Sequence, residues 1–453
     1  MRRHSLIARL GPADRARVDV RFAGSVVTQI RFIDGERRLG YGIGQAMDRL
    51  IERGVIPSET AIDLMLLAAT ATAADTRISR TTDSQDSWTR EIDLYVPVQD
   101  PAQWSPLAPL IVRTLDFLTG DRWGIFFRDR HRQYAELVQR PRELVRAPLD
   151  TVCLFSGGLD SFTGAIDLLA RHRNPIFVSH YWDASTSSQE VCAHRLGNAY
   201  GDLAPRHVRA RIGFPDDLVV GSGPEKTTRG RSFLFFALAA LAASGLDGEP
   251  TICVPENGLI SLNVPLDPLR VGAWSTRTTH PFYMARWQEL LNLLGIPGRF
   301  DNPYRFKTKG EMLSECANAG LLRRHVGETI SCSSITKARW QGLSLRHCGH
   351  CVPCLIRRAA IVAACGNDPT TYTLANLTAA PLDSKRAEGE HIRSFQMMAR
   401  RLAQRPSLSR LLVHKSGPLS DYMEAEIADY AGVFARGIAE VAAIVNPVVV
   451  RPQ

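Results

Sequence analysis

No stretch of this chain stays apolar long enough to cross a bilayer. The longest such run, Phe233 to Ala243, is about half of the roughly 20 residues that a spanning helix needs, so no membrane span or membrane partner is expected. The N-terminus, Met1-Arg-Arg-His-Ser5, leads into no sustained apolar segment. A signal peptide is therefore not expected, and a cytoplasmic location is. Internal repeats and low-complexity segments are lacking too, against a solenoid or a disordered chain. Acidic residues are in the minority, 46 against 55 Lys and Arg, for a formal charge of +9. A positive field suits nucleotides, phosphorylated substrates, nucleic acid or an acidic protein partner, although arginine-rich composition alone gives the same number. The Gly-x4-Gly-Lys spacing of a Walker loop is missing as well. Gly221-Ser-Gly-Pro-Glu-Lys-Thr-Thr228 has the glycines and a Lys-Thr pair in the wrong register, and reads as a mobile, polar loop on the substrate side.

What is present is the composition of a globular protein, 45% hydrophobic and 22% charged, in 453 residues. That is too long for one core, and we divide it at 1–148, 149–370 and 371–453. The first part carries no motif with chemistry. Ser58 to Ala74 looks helical; Thr89 to Val96 alternates like a half-buried strand, with Ile92, Leu94 and Val96 on one face. Leu110 to Thr119 reads as a helix stopped by Gly120, and Trp123 to Phe127 as a strand, together an N-terminal α+β domain. It ends in Arg128, Arg130, Arg132, Arg140, Arg142 and Arg146. These arginines either meet nucleic acid or an acidic partner, or form a solvated helix and linker.

From Thr151 strands and helices alternate, as in a parallel sheet with helices on both faces. Thr151-Val-Cys-Leu-Phe155 reads as a buried strand and Ser161 to His172 as a helix with Phe162, Ile166 and Leu169 on one face. Between them lies Ser156-Gly-Gly-Leu-Asp-Ser161. Two glycines let backbone curl tightly and aim several N–H groups at one spot, at the positive end of a helix, which makes an anion cradle. Asp160 adds a carboxylate for a metal ion, and Ser161 a hydroxyl for a phosphate oxygen. The plain alternative is a strand–turn–helix with Asp as N-cap. Further strands are expected at Ile176 to His180, His207 to Ile212 and Thr251 to Val254, and a capping box at Ser187-Ser-Gln-Glu190. Ligands bind at the carboxyl ends of such strands, which brings His180 to Asp183, Arg211 to Phe214 and Pro255 to Asn257 near the glycine turn. Arg229 and Arg231, ahead of the apolar helix, either clamp phosphate or carboxylate or are exposed charges at a helix start.

Thr308 and Glu311 make a second capping box, with Lys309 in the first turn. A lysine there opposes the helix dipole by about 0.3–1 kcal/mol unless an anion is near, so Lys309 or Lys307 is expected to face phosphate. Cys332, Cys348, Cys351 and Cys354 follow in the pattern Cys-x15-Cys-x2-Cys-x2-Cys. One thiolate and then three at two-residue gaps suit a tetrahedral zinc site. The rival is a redox pair at Cys348 and Cys351, but that chemistry wants an isolated Cys-x-x-Cys. His347 and His350 lie beside a shell that four sulfurs already fill. Cys153, Cys192, Cys253, Cys316 and Cys365 read as core. Beyond Thr370 the chain turns helical, with Met423, Ile427, Tyr430, Phe434, Ile438 and Val441 on one long amphipathic helix.

The glycine turn resembles the PP-loop of ATP pyrophosphatases. Together with the four cysteines it resembles the QueC-like family of 7-cyano-7-deazaguanine synthases over residues 150 to 370. The resemblance implies a Rossmann-like fold of the adenine nucleotide alpha-hydrolase kind with ATP, Mg²⁺ and Zn²⁺. Phe155, Ser156, Gly157, Gly158, Asp160, Ser161 and His180 would bind the nucleotide. Arg231 and Lys309 would join Asp160 and Ser161 in catalysis, and Cys332, Cys348, Cys351 and Cys354 would hold zinc. It also implies adenylation of a carboxylate, of the 7-carboxy-7-deazaguanine type, followed by amide formation. Departures from the family are the segments added at both ends, a longer loop after Cys332, and Val254-Pro-Glu-Asn-Gly258 in place of the deazaguanine-contacting pattern. This architecture is similar to the QatC type of anti-phage systems, in which the acceptor is expected to be an amine on a protein partner from the same operon. A housekeeping nitrile synthase, a tRNA-modifying enzyme of the PP-loop kind and a nucleotide sensor without turnover are the alternatives.

Overall fold

Nine short strands form two parallel sheets, and long helices pack on and between them. The computed structural model describes residues 2–452 except 36–37, 139–147, 182–185, 202, 204–205, 226, 268–276, 336–341 and 343. The first sheet contains β1 (Arg3–Arg9), β2 (Val26–Arg31), β3 (Glu91–Val98) and β4 (Arg122–Asp129) in the order β2-β1-β3-β4, every pair parallel. The N-terminal part is thus α/β rather than the expected α+β. The reason is that β3 and β4 are each reached through helices, Glu59–Arg77 and Ala108–Thr119, and such crossovers return the chain in the same direction. β3 is also buried on both faces, not half-buried, with Asp93 and Tyr95 as covered as Ile92 and Leu94. The loop after β1 closes its second face: the Tyr95 hydroxyl accepts the Arg21 amide at 2.7 Å, and Arg128 pairs with Asp14 at 2.7 Å.

The second sheet contains β5 (Thr151–Leu154), β6 (Pro175–His180), β7 (His207–Ala210), β8 (Thr251–Cys253) and β9 (Arg299–Asp301). Their order is β7-β6-β5-β8-β9, again all parallel, with β5 in the centre. Helix Glu59–Arg77 of the first unit packs against helix Arg231–Ala243 of the second. Both are rich in alanine, and the second is apolar all round, as a helix enclosed on every side must be. Threonines inside the first return their hydroxyls to the preceding turn, Thr70 to Leu66 at 2.7 Å and Thr72 to Ala68 at 2.8 Å. One apolar core therefore runs from Leu6 to Ile296 through both sheets.

A second core joins helices Val352–Cys365, Ala387–Gln404 and Glu424–Val445 to Leu259 and Leu262 just beyond β8. The long terminal helix accordingly packs within its own chain. Of the arginine-rich stretch, Arg130 is buried against Asp63 at 2.6 Å and Glu59 at 2.5 Å. Arg128 and Arg130 are internal ion pairs rather than a solvated face, and Arg140, Arg142 and Arg146 lie outside the described residues. No helix among the described residues is long and apolar enough to cross a membrane.

Candidate active site and cysteine cluster

β5 delivers its carboxyl end to the middle of the sheet, and the chain turns at once. The Phe155 amide still donates to Val178 of β6 at 2.9 Å, so the turn begins at Ser156. Gly157 has φ of 75°, and a Cβ there would meet Ser188 Oγ at 2.6 Å and the Gln189 amide at 2.7 Å. Only glycine fits. Helix Leu159–Ala170 starts on Gly158, which offers no side-chain cap of its own; the Gly158 and Leu159 amides reach the hydroxyls of Ser156 and Ser331, each at a long 3.3 Å, at the positive end of the helix. The Ser156 and Ser161 hydroxyls lie 3.2 Å apart at this mouth, and Ser161 also donates to the Gly158 carbonyl at 3.0 Å.

Asp160 faces inward rather than capping its helix. Oδ2 accepts from the Asn257 side chain at 2.7 Å and its amide at 3.1 Å, while Oδ1 meets the buried ammonium of Lys309. Burial by itself would raise the carboxyl, but Lys309, with further hydrogen bonds, brings it down to about 2. Glu256 lies alongside, sharing the Asn257 amide group at 3.2 Å. Burial and then the Asp160 charge push its pKa well above the ordinary carboxylate range. The pair thus holds one negative charge against one lysine. Lys307, the other lysine, turns outward to Glu315 at 2.5 Å. The capping box at Thr308 and Glu311 forms with both of its bonds, whereas helix Ser187–Tyr200 starts one residue early on Thr186 with no side-chain cap.

His180 ends β6, buried, with Nε2 3.0 Å from the Ile212 carbonyl. Burial, and next the Arg231 charge, lower its pKa to about 4. Its own carbonyl accepts from Gln189 at 3.1 Å and from Arg231 at 3.4 Å. Arg231 is exposed on this side of the sheet. Arg229 is not a phosphate clamp: its guanidinium is buried, 4.0 Å from the Trp88 ring centre, and donates to the Thr119 carbonyl at 3.1 Å. The Gly221–Gly230 loop is likewise tied to the N-terminal unit rather than left mobile. Ser222 donates to Asp83 at 2.6 Å, Glu225 accepts the Arg80 amide at 2.6 Å, and Asp75 accepts the Gly230 amide at 2.7 Å. Asp75 belongs in turn to a buried network with Arg80, Arg90 and Asp121. Trp182, Asp183 and Lys226 lie outside the described residues.

The four cysteines converge, their ligand atoms all within 4.8 Å of one another. Cys332 and Cys351 are 3.9 Å apart, as are Cys348 and Cys354. Tetrahedral zinc with bonds near 2.3 Å sets sulfurs about 3.8 Å apart, so the donor set fits that ion, and a disulfide at about 2.05 Å does not match these separations. Amides of Ser334 and Cys348 point at Cys332 Sγ and that of Cys351 at Cys348 Sγ, each at 3.3 Å, which favours thiolate. His347 is not in the shell; its Nε2 accepts the Ser331 amide at 3.1 Å. Just before Cys332 the chain leans on the glycine turn, Ile330 N–H to Gly157 O at 3.0 Å and Leu159 N–H to Ser331 Oγ at 3.3 Å. The cluster braces the site without entering it.

Glu256 and Asn257, expected only to lie near the glycine turn, thus hold the Asp160 carboxylate. The signal for Asn257 was its place before helix Gly258–Leu262, whose Ile260 amide it caps at 3.2 Å. Taken together these features define an α/β protein with its ligand face at the carboxyl ends of a parallel sheet, beside a cysteine cluster able to hold a metal. No family model matches the chain. A 7-cyano-7-deazaguanine synthase of Cupriavidus necator is 30% identical over 243 residues, 49% of this chain and 97% of that protein. Through that half the chain belongs to the QueC-like family of 7-cyano-7-deazaguanine synthases.

Proposed function

We propose that the protein is an ATP-dependent enzyme that activates a carboxylate as its adenylate and passes the acyl group to nitrogen. The observation that carries this reading is the glycine turn at the end of the central strand, with Asp160 held on Lys309 beneath it. The amides of the turn, held by long bonds to the Ser156 and Ser331 hydroxyls, suit the departing pyrophosphate. Arg231 and Lys309 would be the cations that meet phosphate, and Ser156 and Ser161 the hydroxyls. Asp160 would be the carboxylate that holds Mg²⁺ bound with the triphosphate, and the ion would offset charge on the leaving group. The substrate carboxylate oxygen attacks the α-phosphorus and the bond to the bridging oxygen breaks, releasing pyrophosphate. The amine then attacks the acyl carbon, AMP leaves with the bonding pair, and the nitrogen loses a proton. Zn²⁺ on Cys332, Cys348, Cys351 and Cys354 would be structural, because four sulfurs leave no open position.

The name of the Cupriavidus relative supports a deazaguanine as the carboxylate. For the acceptor we propose an amine on a protein partner, in an anti-phage setting of the QatC type. The support is that about half of this chain lies outside the match and that Val254 to Gly258 departs from the family pattern. Incubation with MgATP and 7-carboxy-7-deazaguanine should yield AMP and pyrophosphate, with Asp160→Asn folded but lowered at least 100-fold. ADP and phosphate as products would defeat the assignment. Intact-mass analysis with neighbouring gene products then tests the acceptor. One added deazaguanine acyl group on a protein supports ligation; free nitrile with the partner unmodified points to a synthase of the housekeeping kind.

A further inference from the structure

Lys309 and Asp160 meet through a short helix, Lys309–Ser314, and that helix is gripped from outside the catalytic sheet. Glu440, on the terminal helix Glu424–Val445, accepts the Thr308 hydroxyl at 2.7 Å. Its two oxygens also accept the Gly310 amide at 3.1 and 3.2 Å. One turn earlier Arg436 pairs with Glu311 at 2.5 Å and donates to the Phe306 carbonyl at 2.9 Å. Both chain neighbours of Lys309 are therefore fixed by one carboxylate, while the lysine itself points the other way, to Asp160. Gly310 carries a second, independent mark of this contact. A glycine inside a helix costs about 1 kcal/mol relative to alanine, and here a Cβ would overlap the Glu440 carboxylate. The residue that weakens the helix is the one that lets Glu440 close on it. The negative charge at the helix entrance also offsets the misplaced cation.

We infer that Glu440 is a positioning residue: it fixes the backbone on either side of Lys309 and so aims the ammonium at Asp160 and the glycine turn. The inference rests on the proposed role of that pair in ATP cleavage, and makes the terminal helix part of the active site's support. Three variants of the full chain test it, Glu440→Ala, Glu440→Gln and Gly310→Ala. The third adds a good helix former but pushes the Glu440 carboxylate off its bonds, so its urea midpoint is measured beside its activity. The first readout is AMP formation from MgATP and 7-carboxy-7-deazaguanine. The expected result is a kcat lowered tenfold or more in Glu440→Ala and Gly310→Ala, less in Glu440→Gln, with the ATP KM changing less than kcat. Glu424→Gln, on the exposed start of the same helix, serves as a control and stays at wild-type rate. The second readout needs no turnover: an amine-acylating reagent applied to folded protein, with Lys309 modification followed by peptide mass spectrometry. Slow labelling in wild type and several-fold faster labelling in Glu440→Ala and Gly310→Ala supports the assignment. Equal labelling, or activity lost only in proportion to folded protein, overturns it. A wild type that forms no AMP would defeat the proposed function, while labelling would still decide the link between Glu440 and Lys309.

Discussion

Among single residues, buried histidines favour the neutral ring and so weaken the fold as pH falls. Burial is the main cause, with neighbouring guanidinium groups adding to it, that lowers the pKa of His180 and His207 to about 4 and of His280 to about 3, from 6.5. His280 shows why charge is refused. Its Nδ1 accepts the Phe282 amide at 3.2 Å as the cap of helix Pro281–Leu294, and Arg277 lies close by. A proton on Nδ1 would set donor against donor. Between the folded and unfolded values the unfolded chain binds the extra proton, so stability is full above about 6.5 and falls as pH drops towards 3. At pH 5 one such group costs about 2 kcal/mol. His280→Asn keeps a cap acceptor and removes the titration. Its urea midpoint should fall less between pH 7 and 5 than that of wild type, and parallel falls would reject the argument. Neutral imidazoles of this kind are not legible in a sequence. The same holds for the two lysines two residues apart, of which the packing turns Lys309 inward and Lys307 to solvent. The helix dipole leads to an expectation of phosphate at Lys309 or Lys307, whereas the structure sets Asp160 against Lys309, with Glu440 at the same helix entrance.

At the scale of elements, legibility follows sequence distance. The strand–turn–helix around Gly157 and the Thr308 capping box are written in adjacent residues and both form, the helix over Leu159–Ala170 rather than Ser161 to His172. β1 and β2 were missed because their meaning lies in pairing: β1 needs β3, more than eighty residues away, to become a buried parallel strand. The ties on the Gly221–Gly230 loop come from partners at Asp75, Arg80 and Asp83, and a glycine-rich composition pointed the other way. The cysteine cluster lies between these cases, its spacing plain and its bearing on the glycine turn hidden. That bearing yields a prediction. Purified protein should contain one zinc per chain, and Cys351→Ser should be insoluble or metal-free. Stripping the metal should also weaken ATP binding at least tenfold, because Ile330 and Ser331 hold Gly157 and Leu159. Metal-free wild type in which Cys348 and Cys351 cycle as a disulfide would restore the redox reading.

For the whole molecule the decisive feature is the shared core. A division at residue 148 treats the N-terminal unit as an attachment, yet helix Glu59–Arg77 is buried along nearly its whole length and rests on helix Arg231–Ala243. Removing residues 1–148 would uncover an apolar face on the second sheet far larger than a soluble surface tolerates. It would also strand Arg229, which leans on Trp88, and release the Gly230 amide from Asp75. The unit is thus a wall of the five-stranded unit and shares its core. Residues 149–453 produced alone should therefore aggregate or be recovered with chaperones, and co-expression with residues 1–148 should restore soluble protein in which both pieces co-elute. A soluble, monomeric 149–453 fragment that melts cooperatively would show two independent domains and overturn the shared-core argument. Within the intact chain a smaller change makes the same point. Asp75→Ala leaves Arg80 and Arg90 buried with Asp121 as their remaining carboxylate partner in that network. It should cost about 3–5 kcal/mol, read as a lower urea midpoint for the single transition that both sheets share.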